Sequence, residues 1–401
     1  MKIIEREHYL ELLNRVKNTP DIKVITGVRR SGKSKLLESF IDVVKKEDSK
    51  ANIIHINLQL SDYEELLEYH ALEEYVEKHY QKSKNNYVFI DEVQMCSLFE
   101  KAINSLHAKE KYDIYVTGSN AFLQSSDLAT LFVGRTFTIP VFPFSFKEFL
   151  KYYGEKENIY SMFDAYLKEG GMAGSYVYSD IQDKYNYINN DVFNTLIVRD
   201  IKDKYKIRNS SVLDKLTDFM MNNVGNIVSP KTISDTLNSS GIKNDSKTIR
   251  KYIEYLCRSY AFYRVRRYDI KGKRYLSSDD KYYLSDHSFR YARLGTKNMD
   301  YGHVLENIVA IELFRRGYEL YVGKLYEKEV DFVAIKRDQT LYIQVAESIN
   351  DEDTFTREVE PLLKVRDAYP KMIITRSYHD ETSYEGIRIV DIAQWLKEGW
   401  K

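Results

Sequence analysis

At 401 residues the chain is too long for one compact core, and at about 100–200 residues per domain it predicts two to four. Sixty Lys+Arg balance sixty Asp+Glu, a formal net charge of zero, which excludes whole-molecule attraction to nucleic acid and leaves only a local patch to supply it. Hydrophobic residues at 43% exclude a disordered chain, and the two cysteines, Cys96 and Cys257, lie far apart outside any C-x-x-C pair, which excludes a disulfide framework or zinc knuckle. The first eight residues lack the apolar stretch of a secretory leader and no run approaches the ~18 apolar residues of a membrane span, so a cytoplasmic protein is expected.

Residues 1–20 carry Tyr9, Leu10, Leu12, Leu13 and Val16 at helical spacing. Short apolar strands then alternate with helical stretches, at 23–26, 52–58, 87–90, 114–117 and 136–141. Strands separated by helices imply crossover connections and a buried parallel sheet, an α/β fold. From 144 to 207 the pattern is helical, broken by Gly170 and Gly171. Between 210 and 284 three helices precede a hairpin whose strands, 262–268 and 281–284, flank a Lys271-Gly272-Lys273 turn, a winged-helix plan. One of those helices starts at Ser229-Pro230 and ends at Gly241; the next starts at Ser246. From about 300 an α/β unit follows, with helices at 304–315 and 354–367 and strands at 320–321, 329–335, 341–345 and 372–375.

The strongest chemical signal is GVRRSGKS at 27–34, a full G-x-x-x-x-G-K-S between a strand and a helix. Gly27 and Gly32 let the backbone wrap, so that N–H groups at Arg30, Ser31 and Gly32 face phosphates; Lys33 reaches the β- and γ-phosphates and the Ser34 hydroxyl ligates Mg²⁺. A second apolar strand ends in Asp91 and Glu92. Asp91 is placed to hold Mg²⁺ through its water shell, and Glu92 to polarise the water that attacks ATP. The next strand ends in Gly118-Ser119-Asn120, where Asn120 or Ser119, with Thr117 as a third choice, would bond both the γ-phosphate and the attacking water; a capped turn is the alternative. Arg135 follows Gly134 before a strand, as a finger acting in cis or toward a neighbouring subunit, or as a structural ion pair.

GVRRSGKS, YVFIDEVQ at 87–94, VTGSNAFL at 116–123, the Gly134-Arg135 pair and PFSFKEFL at 143–150 together resemble the bacterial and archaeal AAA-type ATPases that carry a C-terminal domain of unknown function. The resemblance spans essentially the whole chain, continuing through YLKEGG at 166–171, Arg199-Asp200 and EVDFV at 329–333, with Ala173 where such families often have Pro. It implies a P-loop NTPase core of the ASCE type with strand order 5-1-4-3-2, a winged-helix segment and a restriction-endonuclease-like terminal domain. The corresponding divisions are 1–145 for the ATPase core, 146–208 for a helical lid, 209–290 for the winged helix and 300–401 for the terminal domain.

Nucleases of that terminal fold place an Asp on one strand and an acid and a Lys two residues apart on the next, where alternation puts both on one face. Asp331 fills the first place, with Glu306 able to support it, but the next strand offers Gln344 and Ala346, and Glu347 falls on the opposite face. An inactive scaffold is expected. Between 245 and 275, ten basic residues (Lys247, Arg250, Lys251, Arg258, Arg264, Arg266, Arg267, Lys271, Lys273, Arg274) face three acids (Asp245, Glu254, Asp269), and 10 − 3 leaves +7. That patch suits DNA phosphates, or a protein client or neighbouring subunit. The resulting expectation is a Mg²⁺-dependent ATPase coupled to a recognition half, possible as a homo-oligomer. The alternatives are an ATP-binding switch associated with DNA, in regulation or defence, and an ATP-dependent nuclease.

Overall fold

The protein is described by a computed structural model covering residues 2–118, 132, 134–154, 158–207, 210–275, 279–296 and 300–398. It divides into two compact units, Met1–Val141 and Phe142–Lys401.

In the first unit, α1 (Glu7–Arg15) leads into β1 (Ile22–Thr26), α2 (Lys33–Glu47), β2 (Ala51–Asn57), α3 (Tyr69–Lys78), β3 (Asn85–Asp91), α4 (Phe99–Ala108), β4 (Tyr112–Thr117) and β5 (Thr136–Pro140). All neighbouring strands are parallel, in the order β2-β3-β4-β1-β5, which is the order the resemblance implies. Helices cover both faces, so β1, β3 and β4 are buried almost along their whole length instead of at alternate residues, and the charges inside β1 and β4, Lys23 and Asp113, pair with each other at 2.5 Å. One face packs Val24, Ile56, Val88 and Val116 against Leu72, Val76, Ile103 and Leu106 of α3 and α4. The other packs Ile25, Phe89 and Tyr115 against Leu13, Leu37 and Phe40 of α1 and α2.

The second unit opens with α5 (Phe146–Tyr153), α6 (Ile159–Glu169) and α7 (Ile181–Tyr187), whose path continues in wider turns over Ile188–Phe193 and Leu196–Asp203. Next come α8 (Ser210–Asn222), α9 (Pro230–Ser239) and α10 (Ser246–Arg258), then β6 (Phe262–Asp269), β7 (Arg274–Tyr275) and β8 (Lys281–Leu284). The remainder is α11 (Ser288–Leu294), α12 (Tyr301–Arg315), β9 (Glu319–Leu325), β10 (Lys328–Lys336), β11 (Gln339–Ala346), α13 (Glu352–Lys364), β12 (Lys371–Thr375), β13 (Thr382–Tyr384), β14 (Ile387–Asp391) and α14 (Ile392–Glu398). Helix starts follow their side-chain signals: Ser229 accepts from the Thr232 N–H ahead of Pro230, and Asp245 from the N–H groups of Lys247 and Thr248.

The hairpin strand does not stop at its hairpin. β6 pairs with β8 through 262–265, and its second half, 266–269, runs parallel to β9, so the strands form one mixed nine-stranded sheet, β13-β14-β12-β11-β10-β9-β6-β7 with β8 on β6. β6 has eight residues and β8 four; beyond β8, β6 pairs with β7 at 268–269 and with β9 at 266–269, which satisfies backbone groups that would otherwise form an open strand edge. Among the described residues no helix is long and apolar enough to cross a membrane.

Candidate active site

In an open parallel sheet the crevice beyond the carboxyl ends of the strands is the place for a ligand. Gly27 leaves β1 at that edge with φ 137°, and a Cβ there would lie 2.0 Å from the Val141 carbonyl oxygen, so only glycine fits. Arg30 and Gly32 are also left-handed, at φ 63° and 92°. These turns bring the chain round to the amino end of α2, which has no acidic residue in its first turn and whose dipole favours an anion. Lys33 is buried, its Nζ donating to the carbonyls of Gly27 at 2.9 Å and Val28 at 3.2 Å. Among the described residues the buried Ser31 hydroxyl has no hydrogen-bond partner.

A buried orphan hydroxyl, a glycine cradle and an ammonium within the same turn fit the phosphates of a nucleotide. Arg6, which precedes α1, donates from Nη1 to the Ser31 carbonyl at 2.9 Å and so ties the loop to the amino-terminal segment. Sequence patterns did not reveal this contact, because nothing short-range links Arg6 to a loop 25 positions away.

β3 delivers the two acids. Asp91 is buried and accepts a hydrogen bond from the Thr117 hydroxyl, while that oxygen accepts from the Glu92 N–H at 3.2 Å. Thr117, the third choice at the end of β4, therefore ties the tips of β3 and β4 together. Ser119 and Asn120 lie outside the described residues. Glu92 is left-handed at φ 56°, an unusual conformation for a non-glycine residue that recurs at functional sites, and its Oε2 accepts from Gln94 Nε2 at 2.5 Å. On β2, burial lowers the pKa of His55, with the Asp91 charge opposing the shift.

Arg135 stands elsewhere. Its carbonyl accepts from the Ile22 N–H at 2.9 Å, and Thr136 pairs with Ile22, the first residue of β1. The exposed Arg135 therefore sits at the amino edge of the sheet, about 15 Å of strand from the phosphate loop. That position corrects the expectation of a finger acting on its own loop in cis; reach toward a neighbouring copy is the form compatible with it.

In the second unit Glu306 and Asp331 do come together, around a cation that the strand pattern did not reveal. Lys281 Nζ on β8 lies 2.9 Å from Glu306 Oε1, 2.7 Å from Glu329 Oε1 and 3.7 Å from Asp331 Oδ1. Burial works against the Lys281 ammonium, but Glu306, Asp331 and Glu329 outweigh it and raise its pKa. Burial, helped by the Glu306 charge and opposed by Lys281, pushes Asp331 up to about 8. Gln344 is engaged structurally: Oε1 accepts from the Asp331 N–H at 2.7 Å, and Nε2 donates to Glu358 on α13 at 2.9 Å.

The basic stretch is partly neutralised. Arg258 pairs with Glu254, Arg264 with Asp280 and Arg274 with Asp269. Lys247, Arg250, Lys251, Lys271 and Lys273 are exposed.

Residues 19–150 match the family described as "AAA domain", and residues 160–300 match "Domain of unknown function (DUF8612)". An uncharacterized protein of Haemophilus influenzae is 37% identical over 399 residues, covering 98% of each chain. An uncharacterized protein of Methanocaldococcus jannaschii is 28% identical over 414 residues, 97% of this chain and 88% of that one. Among solved structures, the Aeropyrum pernix ORC1 protein in complex with DNA aligns at TM-score 0.32 and 10% identity, over 79% of this chain and 94% of that one. Cdc6p from Pyrobaculum aerophilum aligns at TM-score 0.31 and 9% identity, over 77% and 95%. Identity of 37% across nearly the whole of both chains, with a matching AAA domain ahead of a matching domain of unknown function, makes this protein a member of the bacterial and archaeal AAA-type P-loop family that the Haemophilus influenzae protein shares.

Proposed function

We propose that this protein is a Mg²⁺-dependent ATPase, acting in the cytoplasm where ATP is supplied, whose first unit works a DNA-associated recognition half. The observation that carries the reading is the convergence, at one edge of one parallel sheet, of the Lys33 loop, Asp91 and Glu92. The loop N–H groups and Lys33 bind the phosphates, and Ser34 and Asp91 would hold Mg²⁺, which supplies charge neutralisation at the phosphates. Glu92 takes the role of orienting and deprotonating the attacking water. Thr117 keeps Asp91 and the Glu92 backbone in register, and Asn120 is the residue proposed to sense the γ-phosphate.

The test separates binding from chemistry. Lys33→Ala should lose ATP binding, whereas Glu92→Gln should bind ATP and fail to turn it over. Wild-type ATP affinity in Lys33→Ala would overturn the assignment. A second reading, an ATP-binding switch with slow turnover, is favoured by one contact: Gln94 holds the Glu92 carboxylate at 2.5 Å. Turnover measured with and without duplex DNA distinguishes the two.

Within the recognition half we assign 146–208 as the helical lid, 209–290 as the winged helix and 300–401 as an inactive nuclease-like domain, because Lys281 fills the acid cluster and Gln344 is committed to backbone support. Lys247, Arg250 and Lys251, exposed near the start of α10, are the proposed contacts to duplex phosphates. Binding through them should weaken with salt, log K falling by about 0.9 per phosphate contact for each log unit.

A further inference from the structure

On one face of the mixed sheet, Tyr268 of β6, Tyr275 of β7 and Tyr321 of β9 form a mutual cluster. Ring centroids are 5.6 Å apart for Tyr268–Tyr275, 5.9 Å for Tyr268–Tyr321 and 5.1 Å for Tyr275–Tyr321. The strand register explains the meeting: Tyr268 lies opposite Tyr275, and Arg266, two residues before Tyr268 and so on the same face, lies opposite Tyr321. Tyr268 and Tyr321 lean on the core that α13 closes over β10 and β11, but Tyr275 stands 64% exposed. Tyr326, 59% exposed on the turn after β9, holds Lys271 Nζ over its ring at 4.7 Å.

An aromatic cluster with one ring open to solvent offers a face on which a planar partner can stack. Charge complementarity says which kind. Residues 266–275 hold five basic side chains (Arg266, Arg267, Lys271, Lys273, Arg274) and one acid, Asp269, so 5 − 1 leaves +4, and Arg274 remains 74% exposed although it meets Asp269 at 3.4 Å. At the other margin the Tyr321 hydroxyl donates to Glu319 Oε2 at 3.0 Å, so an anionic chain would track along the β6–β7 side.

We propose that Tyr268, Tyr275 and Tyr321 form a stacking platform for single-stranded nucleic acid, its phosphates held by Arg266, Lys271, Lys273 and Arg274. A duplex stacks its bases internally and cannot use the ring faces, whereas unpaired bases of any sequence can. The inference deepens the proposed association with nucleic acid by naming the strand state, and it needs neither the duplex contacts on α10 nor the ATPase chemistry.

The test is fluorescence anisotropy of the full chain with labelled oligothymidylate and oligouridylate of about 15 nucleotides and a duplex of equal length. Tyr275→Ala should weaken oligothymidylate or oligouridylate binding by about 5- to 100-fold, and Tyr275→Phe should stay within about twofold of wild type. Duplex binding should not change in either variant. Whichever oligomer binds more tightly identifies DNA or RNA as the source. Reversal of Lys247, Arg250 and Lys251 to Glu should act oppositely, lowering duplex affinity while sparing the single strand, so failure of one reading is distinguishable from failure of the other. Absence of single-strand binding at low salt, or Tyr275→Ala binding as wild type, overturns the platform. So does a sedimentation shift in Tyr275→Ala with unchanged oligomer affinity, which would make the cluster a contact between copies of this chain.

Discussion

Gln94 Nε2 donates to Glu92 Oε2 at 2.5 Å, so the residue assigned to activate water is held by a neighbour two positions along. A carboxylate oxygen that already accepts a hydrogen bond is restrained in rotamer and must give up that bond before it can accept one from water. Gln94→Ala should therefore raise steady-state ATP turnover several-fold while leaving ATP affinity near wild type. Unchanged or lower turnover in that variant would show that Gln94 aligns Glu92 instead of restraining it.

The phosphate loop rests on one glycine more than on the others. A Cβ at Gly27 would meet the Val141 oxygen at 2.0 Å, and its φ of 137° is strained for any L residue, whereas a Cβ at Gly134, at φ 72°, meets nothing within 4 Å among the described residues. Gly27→Ala should lower stability by more than about 2 kcal/mol and abolish ATP binding; Gly134→Ala should cost about 1 kcal/mol. Chemical denaturation of the two variants checks the contrast, and equal losses would remove the close approach as the cause.

How legible the molecule was depended on the range over which each feature is encoded. The loop at 27–34, the buried strand ending in Asp91 and Glu92, and the caps at Ser229 and Asp245 are local patterns, and the structure realises them where the sequence puts them. Pairing partners are not local. Nothing in 262–269 marks β9 as its neighbour, since parallel pairing is decided by which edge is left open after the hairpin forms. Lys281 lay hidden for the same reason: it is 25 positions from Glu306, and 331 − 281 puts it 50 from Asp331, so strand spacing alone reported Gln344 and Ala346 and missed a cation arriving from β8. Arg135 shows the converse: the local Gly-Arg pattern left a finger in cis, a finger toward a neighbouring subunit and a structural ion pair all open, and the strand register, which carries it to the far edge of the sheet, speaks against the first alone.

That register also sharpens what Arg135 can do. If it acts, it acts on the nucleotide of a second copy, so ATP turnover per chain should rise with protein concentration and the rise should vanish in Arg135→Ala. Turnover that is independent of concentration and unaffected by the substitution would leave Arg135 as a surface residue.

The acid cluster around Lys281 predicts a pH-dependent stability that its removal should exaggerate. Lys281 has its pKa raised, so it stays charged in folded and unfolded chains below about 10 and contributes no slope in the neutral range. Asp331 is raised to about 8, so the folded state holds a proton that the unfolded state releases near 4; stability should fall as pH rises between those values and level off above. Lys281→Met removes the cation that lowers Asp331 and leaves Glu306 and Glu329 without it, all with side chains from buried to one-third exposed. Breaking a buried pair this way should cost about 3–5 kcal/mol at pH 8 and less at pH 5, where protonation relieves the repulsion. Urea denaturation of both proteins at the two pH values measures it. A loss that is the same at pH 5 and pH 8 would mean that the carboxylates do not depend on Lys281 for their charge balance, and that its burial on β8 is a matter of packing alone.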